Sequence, residues 1–422
     1  MPILIKDIKG LIGAWESDDV VPQCLKGSEM SELPVLENAW LAIDEDQVVD
    51  FGRMEDFPGI LDWRDLEVVD AAQRFVWPAW CDSHTHLVYA HDRAGEFMDR
   101  LNGLSYQEIA ARGGGILNSA RALQSTGEED LLASAVSRLK QVQWSGTGAI
   151  EIKSGYGLTA DAELKMLRVI RRLASSEDLS IKSTFLAAHA IPSGLSAADW
   201  LDISLQEILP QVVAEGLADF IDVFCEEGYF GLPETEAVLR AGQSHGLPAK
   251  IHVNQFNAMG GVELALRLGA LSLDHLEELS ANDLRAFSEA LNRGETPFPT
   301  ALPGCSHFLG IPYAPGRQLI DAGLPLTLAT DFNPGSAPSG NMTFAVQLAI
   351  VKMKLRPLEA IAAATLNGAA AMHLADREGA IVPGRKANLI LSKPMTDLVD
   401  LGYRFGEDPV ENVLINGRWV RD

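Results

Sequence analysis

Asp82-Ser83-His84-Thr85-His86 places two imidazoles two positions apart, after the apolar run Phe75-Val76-Trp77-Pro78-Ala79-Trp80-Cys81. On a strand, residues two apart point to the same side, so His84 and His86 project together from its C-terminal end. Paired imidazoles on one face are the usual beginning of a transition-metal site. A lone His-x-His is weak, because a solvated turn produces it as easily. Here His189, His252, His275 and Asp331 also close β-like runs. One histidine at a strand end is ordinarily a core or surface residue. This many at successive ends are better explained by one shared site. Three histidines and an aspartate suit Zn²⁺ or Fe²⁺ with a position left for water. Such an ion lowers the pKa of water to about 7. His275 is a candidate second base or oxyanion stabiliser. His91, His245, His307 and His373 lack a strand-end context, and His307 lies in a Pro- and Gly-rich stretch read as a loop.

These side chains need elements that bring them to one face. β-like runs end near His84, Lys153, His189, Cys225, His252, His275, Ala301 and Asp331, with helical patterns between them. In Ala162–Ile170 apolar residues recur at three- and four-residue spacing, and Asp161 precedes them. Alternation on this scale suits a (β/α)8 TIM barrel, which takes about 250 residues and gathers active-site groups at its strand C-terminal ends. A doubly wound sheet would want a Gly-rich phosphate turn after its first strand, where His-Thr-His stands instead. Both chain ends read as short strands and turns, including Trp40–Ile43, Gln47–Gly52, Gly379–Gly384 and Ala387–Leu391. The expected organisation is a composite β-sandwich domain from residues 1–72 and 377–422, and a catalytic α/β barrel over 73–376.

Net charge is 34 − 58 = −24, which argues against nucleic acid or an anionic membrane as partner. An anionic substrate would need a dedicated cation in its pocket. No apolar stretch approaches the ~20 residues that span a bilayer. The N-terminal residues lack a signal-peptide pattern, so a cytoplasmic location is expected. Four scattered cysteines read as reduced thiols.

The ordered His-x-His, His, His, Asp set resembles the amidohydrolase superfamily. Asp82–Ala90, Asp92–Phe97, Tyr106–Ala110, Gly113–Ile116, Glu151–Leu158, Glu163–Arg168, Asp222–Glu226 and Ala329–Gly335 are similar to segments of its imidazolonepropionase family. So is Pro383–Leu389. Lys153-Ser154-Gly155-Tyr156-Gly157 and Asp331-Phe332-Asn333-Pro334-Gly335 are the specific segments; His-x-His marks only the superfamily. The resemblance implies hydrolysis of 4-imidazolone-5-propanoate to N-formimino-L-glutamate in histidine degradation. It implies one divalent metal per chain, Zn²⁺ or Fe²⁺, on His84, His86, His252 and Asp331. It puts Arg93, Tyr156, His189, Gln255, Asn333, Gly335 and Ser336 around a small anionic imidazolone, and His275 with Asp331 in catalysis. A homodimer is compatible with it. Arg93 is the cation that an acidic protein needs for a propanoate tail.

Two positions depart from the family pattern. Asn254 stands where an acid is usual, which removes a proton-transfer partner and leaves Asp331 and His275 to serve. Ser336 replaces a Thr and keeps the hydroxyl. Both departures, and the unusual Gly304–Leu309, keep a related substrate open. One rival is a deaminase-like amidohydrolase acting on another small heterocycle; such enzymes place Glu three residues after the fifth-strand His, where Gln255 stands. A metal-free assembly barrel is the other, and it would lack ligand residues that are all present here.

Overall fold

The computed structural model describes residues 2–16, 20–60, 62, 64–104, 108, 112 and 114–421. Tyr106, Gln107, Ile109, Ala110 and Gly113, quoted above for the resemblance, lie outside them. The N-terminal strands are β1 (Ile3–Ile12), β2 (Val35–Asp44), β3 (Gln47–Arg53), β4 (Glu67–Asp70) and β5 (Phe75–Pro78). Eight strands then alternate with helices: β6 (Trp80–Thr85), β7 (Thr147–Lys153), β8 (Ser180–Ala188), β9 (Phe220–Cys225), β10 (Lys250–Val253), β11 (Ser272–His275), β12 (Phe298–Ala301) and β13 (Thr327–Leu328). They pair in parallel in chain order. Where β13 meets β6 the ring closes: Asp331 N donates to His84 O at 3.0 Å, and His86 N donates to Phe332 O at 2.8 Å.

With helices between them in the chain, the strands of the ring are buried almost throughout, as parallel strands must be. The helix Ala160–Ser176 shows why its sequence folds so. Thr159 caps it, its Oγ1 accepting from Ala162 N at 3.3 Å. Met166, Val169, Ile170 and Leu173 recur on one buried stripe. Each such side chain contributes about 1.5–3 kcal/mol on burial.

β14 (Leu389–Ser392), β15 (Val410–Ile415) and β16 (Arg418–Arg421) return to the N-terminal strands and complete a separate mixed sheet, in the order β16-β15-β14-β5-β1-β2-β3 with β4 beside β1. Ile5, Ile8, Leu11, Leu41, Val76, Leu389 and Leu414 pack in its own apolar cluster. Three sequence expectations are corrected. Phe75–Pro78, assigned to the barrel, pairs with β1 and β14, and the chain passes between sheets at Ala79. Gly379–Gly384 is no strand; Ile381 makes one isolated bridge to Ala14. His307 lies on the helix Pro303–Leu309, where a loop was expected, and its exposed ring faces Tyr313 Oη at 3.1 Å.

Candidate active site

The strand ends bring His84, His86, His252 and Asp331 together. His86 Nε2 and His252 Nε2 are 3.4 Å apart. Asp331 Oδ1 lies 3.5 Å from His84 Nε2 and 3.6 Å from His86 Nε2. Two ligands on one tetrahedral ion at ~2.05 Å are spaced by about 3.3 Å, so these separations match a single shared cation. His84 Nε2 is buried and has no hydrogen-bond partner among the described residues. Burial, with Lys153 and the nearby imidazoles, holds His84 far below the usual histidine range. Burial and His189 do the same for His86. Neutral rings offer the lone pairs that a cation requires. The site therefore fits a divalent metal. Asp331 takes a left-handed backbone, φ 57°, which turns its carboxylate inward as the strand ends. Asp82 fixes the segment before it, accepting from Thr330 N at 3.0 Å and Thr330 Oγ1 at 2.6 Å. Burial raises that carboxyl to about 7.

Behind the imidazoles lies a buried ionic layer. His84 Nδ1 is 2.6 Å from Asp274 Oδ2, and His252 Nδ1 is 3.0 Å from Asp222 Oδ2. A carboxylate accepts, so His84 Nδ1 carries the proton and its Nε2 presents a lone pair inward; Asp222 stands in the corresponding place beside His252. Lys153 joins the two carboxylates, at 2.8 Å from Asp222 and 3.5 Å from Asp274, and also meets Glu151 at 2.7 Å. Lys250 pairs with the other oxygen of Glu151. Burial works against the Lys153 charge, but Asp222, Glu151 and Asp274 outweigh it and hold the ammonium form.

In front of the imidazoles, a cleft is lined by Arg93, Tyr156, His189, Gln255, His275, Asp331, Asn333 and Ser336, with Ile116, Phe224, Tyr229 and Leu309 as apolar walls. Arg93 is its one Arg or Lys among the described residues. It immediately precedes the helix Ala94–Leu101, and its Nε lies 3.7 Å from Glu96. Gly335 lies directly against the guanidinium: a Cβ there would stand 1.0 Å from Arg93 Nη2. Asn333 Oδ1 accepts from Gly335 N and Ser336 N, both at 2.8 Å, and shapes this turn. Asn333 Nδ2 donates to Ser336 Oγ at 2.8 Å.

Glu163 explains the turn after β7. Its carboxylate accepts from Gly155 N at 2.9 Å, Gly157 N at 2.6 Å and Leu158 N at 3.1 Å. That turn presents the buried Tyr156, and Gly155 O receives His189 Nδ1 at 3.1 Å. Gly155 has φ 105°, and a Cβ there would meet the His189 ring at 2.9 Å. Burial and His252 push His189 down to about 3. Its neutral ring stacks on His86 at 5.2 Å.

His275 ends β11 with Nδ1 3.4 Å from Glu277 Oε2. Burial opposes its protonation, but Glu277 outweighs burial and raises it. Asn254 turns out of the cleft. It takes φ 56°, and its amide donates to Glu278 O at 2.8 Å and Asp283 Oδ2 at 3.0 Å. It therefore holds a loop, and an acid in that pose would face Asp283. Sequence reasoning assigned no role to Asp222, Asp274, Glu151, Lys250, Glu163 or Glu277. Asp274 next to His275, and the single acids inside otherwise apolar runs, Glu151 in β7 and Asp222 in β9, were the available signals.

The amidohydrolase family profile matches residues 234–420. The imidazolonepropionase of Christiangramia forsetii is 51% identical over 422 residues, covering 100% of both chains. That of Alkaliphilus metalliredigens is 37% identical over 424 residues, covering 100% of this chain and 98% of its own. Among solved structures, E. coli guanine deaminase matches with TM-score 0.71 at 14% identity, covering 100% of this chain and 99% of its own. An adenosine deaminase from Xanthomonas campestris with bound zinc gives TM-score 0.68 at 18% identity, covering 99% and 92%. The two solved structures speak for the fold alone. Full-length identity of this order, together with the filled strand-end positions, makes the chain a member of the imidazolonepropionase family of amidohydrolases.

Proposed function

We propose that His84, His86, His252 and Asp331 hold one divalent cation, Zn²⁺ or Fe²⁺, and that the cleft in front of it takes 4-imidazolone-5-propanoate. The reaction of the family is hydrolysis of that imidazolone to N-formimino-L-glutamate in histidine degradation. An ion held by His84, His86, His252 and Asp331 would supply Lewis acidity toward the ring carbonyl and would lower the pKa of the attacking water. Arg93 grips the propanoate carboxylate, which fixes the ring's distance from Asp331. Tyr156 and His189 orient the ring, and Gln255, Asn333, Gly335 and Ser336 complete the pocket. Asp331 takes the proton from water and delivers it to the departing ring nitrogen. The ring C–N bond breaks as the carbonyl carbon becomes a carboxylate. His275 stabilises the developing oxyanion or assists that proton transfer.

One observation carries this reading: three Nε2 faces and Asp331 converge at the spacing of a shared ion, directly below a cleft in which Arg93 is the one Arg or Lys among the described residues. We further assign residues 1–78 and 377–422 to the accessory sheet and the remainder to the barrel, and a cytoplasmic location to the protein. Among the described residues no helix is long and apolar enough to cross a membrane. The test is turnover of 4-imidazolone-5-propanoate before and after chelation, with bound metal measured alongside. Activity should fall with the ion and return when it is restored. Full turnover by metal-free protein, or metal retained by His84→Ala and His86→Ala, would refute the site.

A further inference from the structure

Beside His275 a second set of ligand types comes together; it shares no member with the four groups above, although Cys305 touches Asp331. Glu277 follows β11 by two residues, and Cys305 lies on the helix Pro303–Leu309. His275, Glu277 and Cys305 are all buried, and their nitrogen, oxygen and sulfur atoms lie within 4.8 Å of one another. His275 Nδ1 stands 3.5 Å from Glu277 Oε1 and 3.4 Å from Glu277 Oε2, both long for a hydrogen bond and close to the about 3.3 Å between two ligands on one tetrahedral ion. Glu277 Oε1 accepts from Ser306 Oγ at 3.0 Å. Glu277 Oε2 is buried with no hydrogen-bond partner among the described residues. A buried carboxylate oxygen left in that state is costly, and this one faces an imidazole and a thiol. Gln255 Nε2 reaches Cys305 Sγ at 3.4 Å, so the thiol is one side chain removed from the cleft.

We propose that His275, Glu277 and Cys305 form a second, weaker site for a thiophilic divalent cation such as Zn²⁺, Cd²⁺ or Co²⁺, whose occupancy takes His275 out of catalysis. On binding, the Cys305 thiol releases its proton to solvent. One thiolate, one carboxylate and a neutral imidazole then cancel the ion's two charges. Sulfur and imidazole select borderline and soft ions over Mg²⁺, Ca²⁺ and Mn²⁺, which prefer oxygen. The site stands on its own three residues; only its inhibitory effect rests on the role proposed for His275.

The test is a Co²⁺ titration of metal-free protein. Bound cobalt is read by equilibrium dialysis, thiolate-to-cobalt charge transfer by near-ultraviolet absorption, and turnover in parallel. The first equivalent should bind without the charge-transfer band, since its ligands carry no sulfur. A second, at least tenfold weaker, should bring the band, and turnover should fall as it grows. Cys305→Ser should remove the band and weaken the second equivalent at least tenfold while keeping the first. Glu277→Gln should weaken the second equivalent with the thiol still in place. Saturation at one equivalent, a second ion without the band, or unchanged second binding in Cys305→Ser would each overturn the proposal. The band appearing with the first equivalent would do so too. The two sites fail independently: a first equivalent retained in His84→Ala strikes the first site and leaves the band as the readout of the second.

Discussion

Replacing Lys153 with Met tests whether the ionic layer holds the metal-facing histidines. The Nζ lies 2.7 Å from Glu151, 2.8 Å from Asp222 and 3.5 Å from Asp274. Lys250 still pairs with Glu151 in the variant, so the uncompensated charge falls on Asp222 and Asp274. Removing one partner from a buried ionic group costs about 3–5 kcal/mol. At about 2.1 cal/mol/K per residue, a chain of 422 residues unfolding as one unit would lose roughly 3–6 °C in Tm. Asp222 and Asp274 are the Nδ1 partners of His252 and His84, and loosening one such partner costs about 10–100-fold in metal affinity. With two loosened, the loss should lie near the upper end. Scanning calorimetry gives the first quantity and competition with a chelator the second, and Lys153→Arg should recover part of both. The pH dependence follows from the raised pKa of Lys153. Its contribution is fully present below the unfolded value of about 10.4 and is lost only as pH rises through the higher folded value. The gap between wild type and Lys153→Met should therefore be constant from pH 6 to 9. Unchanged metal affinity and Tm in Lys153→Met would refute the clamp.

Arg93→Ala should raise KM for the imidazolone about ten- to a hundred-fold, the worth of a charge-assisted pair, and leave an analogue without the carboxylate unaffected. Gly335→Ala forces the guanidinium aside and should raise KM in the same way. The double variant should then be no worse than Arg93→Ala; additive losses would show that Gly335 acts elsewhere. Asp331→Asn should keep part of the metal and lose nearly all turnover, and retained turnover would remove it from proton transfer. Glu277→Gln removes the charge that raises His275, so the limb of the pH–rate profile set by His275 should move to lower pH. A limb that stays or moves upward would separate His275 from that profile. Protein isolated without added metal should carry one ion per chain. Lys153, held as ammonium among three carboxylates, is in no state to become a bridging carbamate.

The parts of the site legible in the sequence are those where one residue type does a job at a fixed place in the fold. His84-Thr85-His86 follows from strand periodicity, and each β-like run that ends in a functional residue marks a barrel strand end. The proposed role of Arg93 rests on charge, because an acidic chain that takes an anionic substrate needs a local cation, and the structure places Arg93 in the cleft. The ionic layer is different. Asp222 and Lys153 lie on separate strands, 69 residues apart in the chain, and meet only across the barrel interior. Glu163 reads as one more polar position on an amphipathic helix. Its buried carboxylate gains meaning only when the turn at Gly155–Leu158 folds back on the helix end. Asn254 is a different case: the acid usual at that place in the family suggested a lost proton-transfer partner, and the left-handed backbone turns the position away from the cleft toward Glu278 and Asp283.

The acidity of the chain and the placement of Arg93 belong to one argument. A net charge of −24 repels an anion at long range, but surface charge is screened beyond about 8–10 Å in physiological salt. A buried guanidinium is screened far less. Its attraction for a carboxylate is therefore exerted only inside the cleft. On the proposed role of Arg93, selectivity follows from position, because the same ring without its tail would lose the contact that sets its distance from Asp331. Raising salt from 50 to 500 mM should then weaken the mean-field repulsion and leave the Arg93 contact intact, so kcat/KM for the propanoate should hold or rise. If Arg93 instead acts as a surface charge, kcat/KM should fall as salt rises, and the fall should vanish in Arg93→Ala.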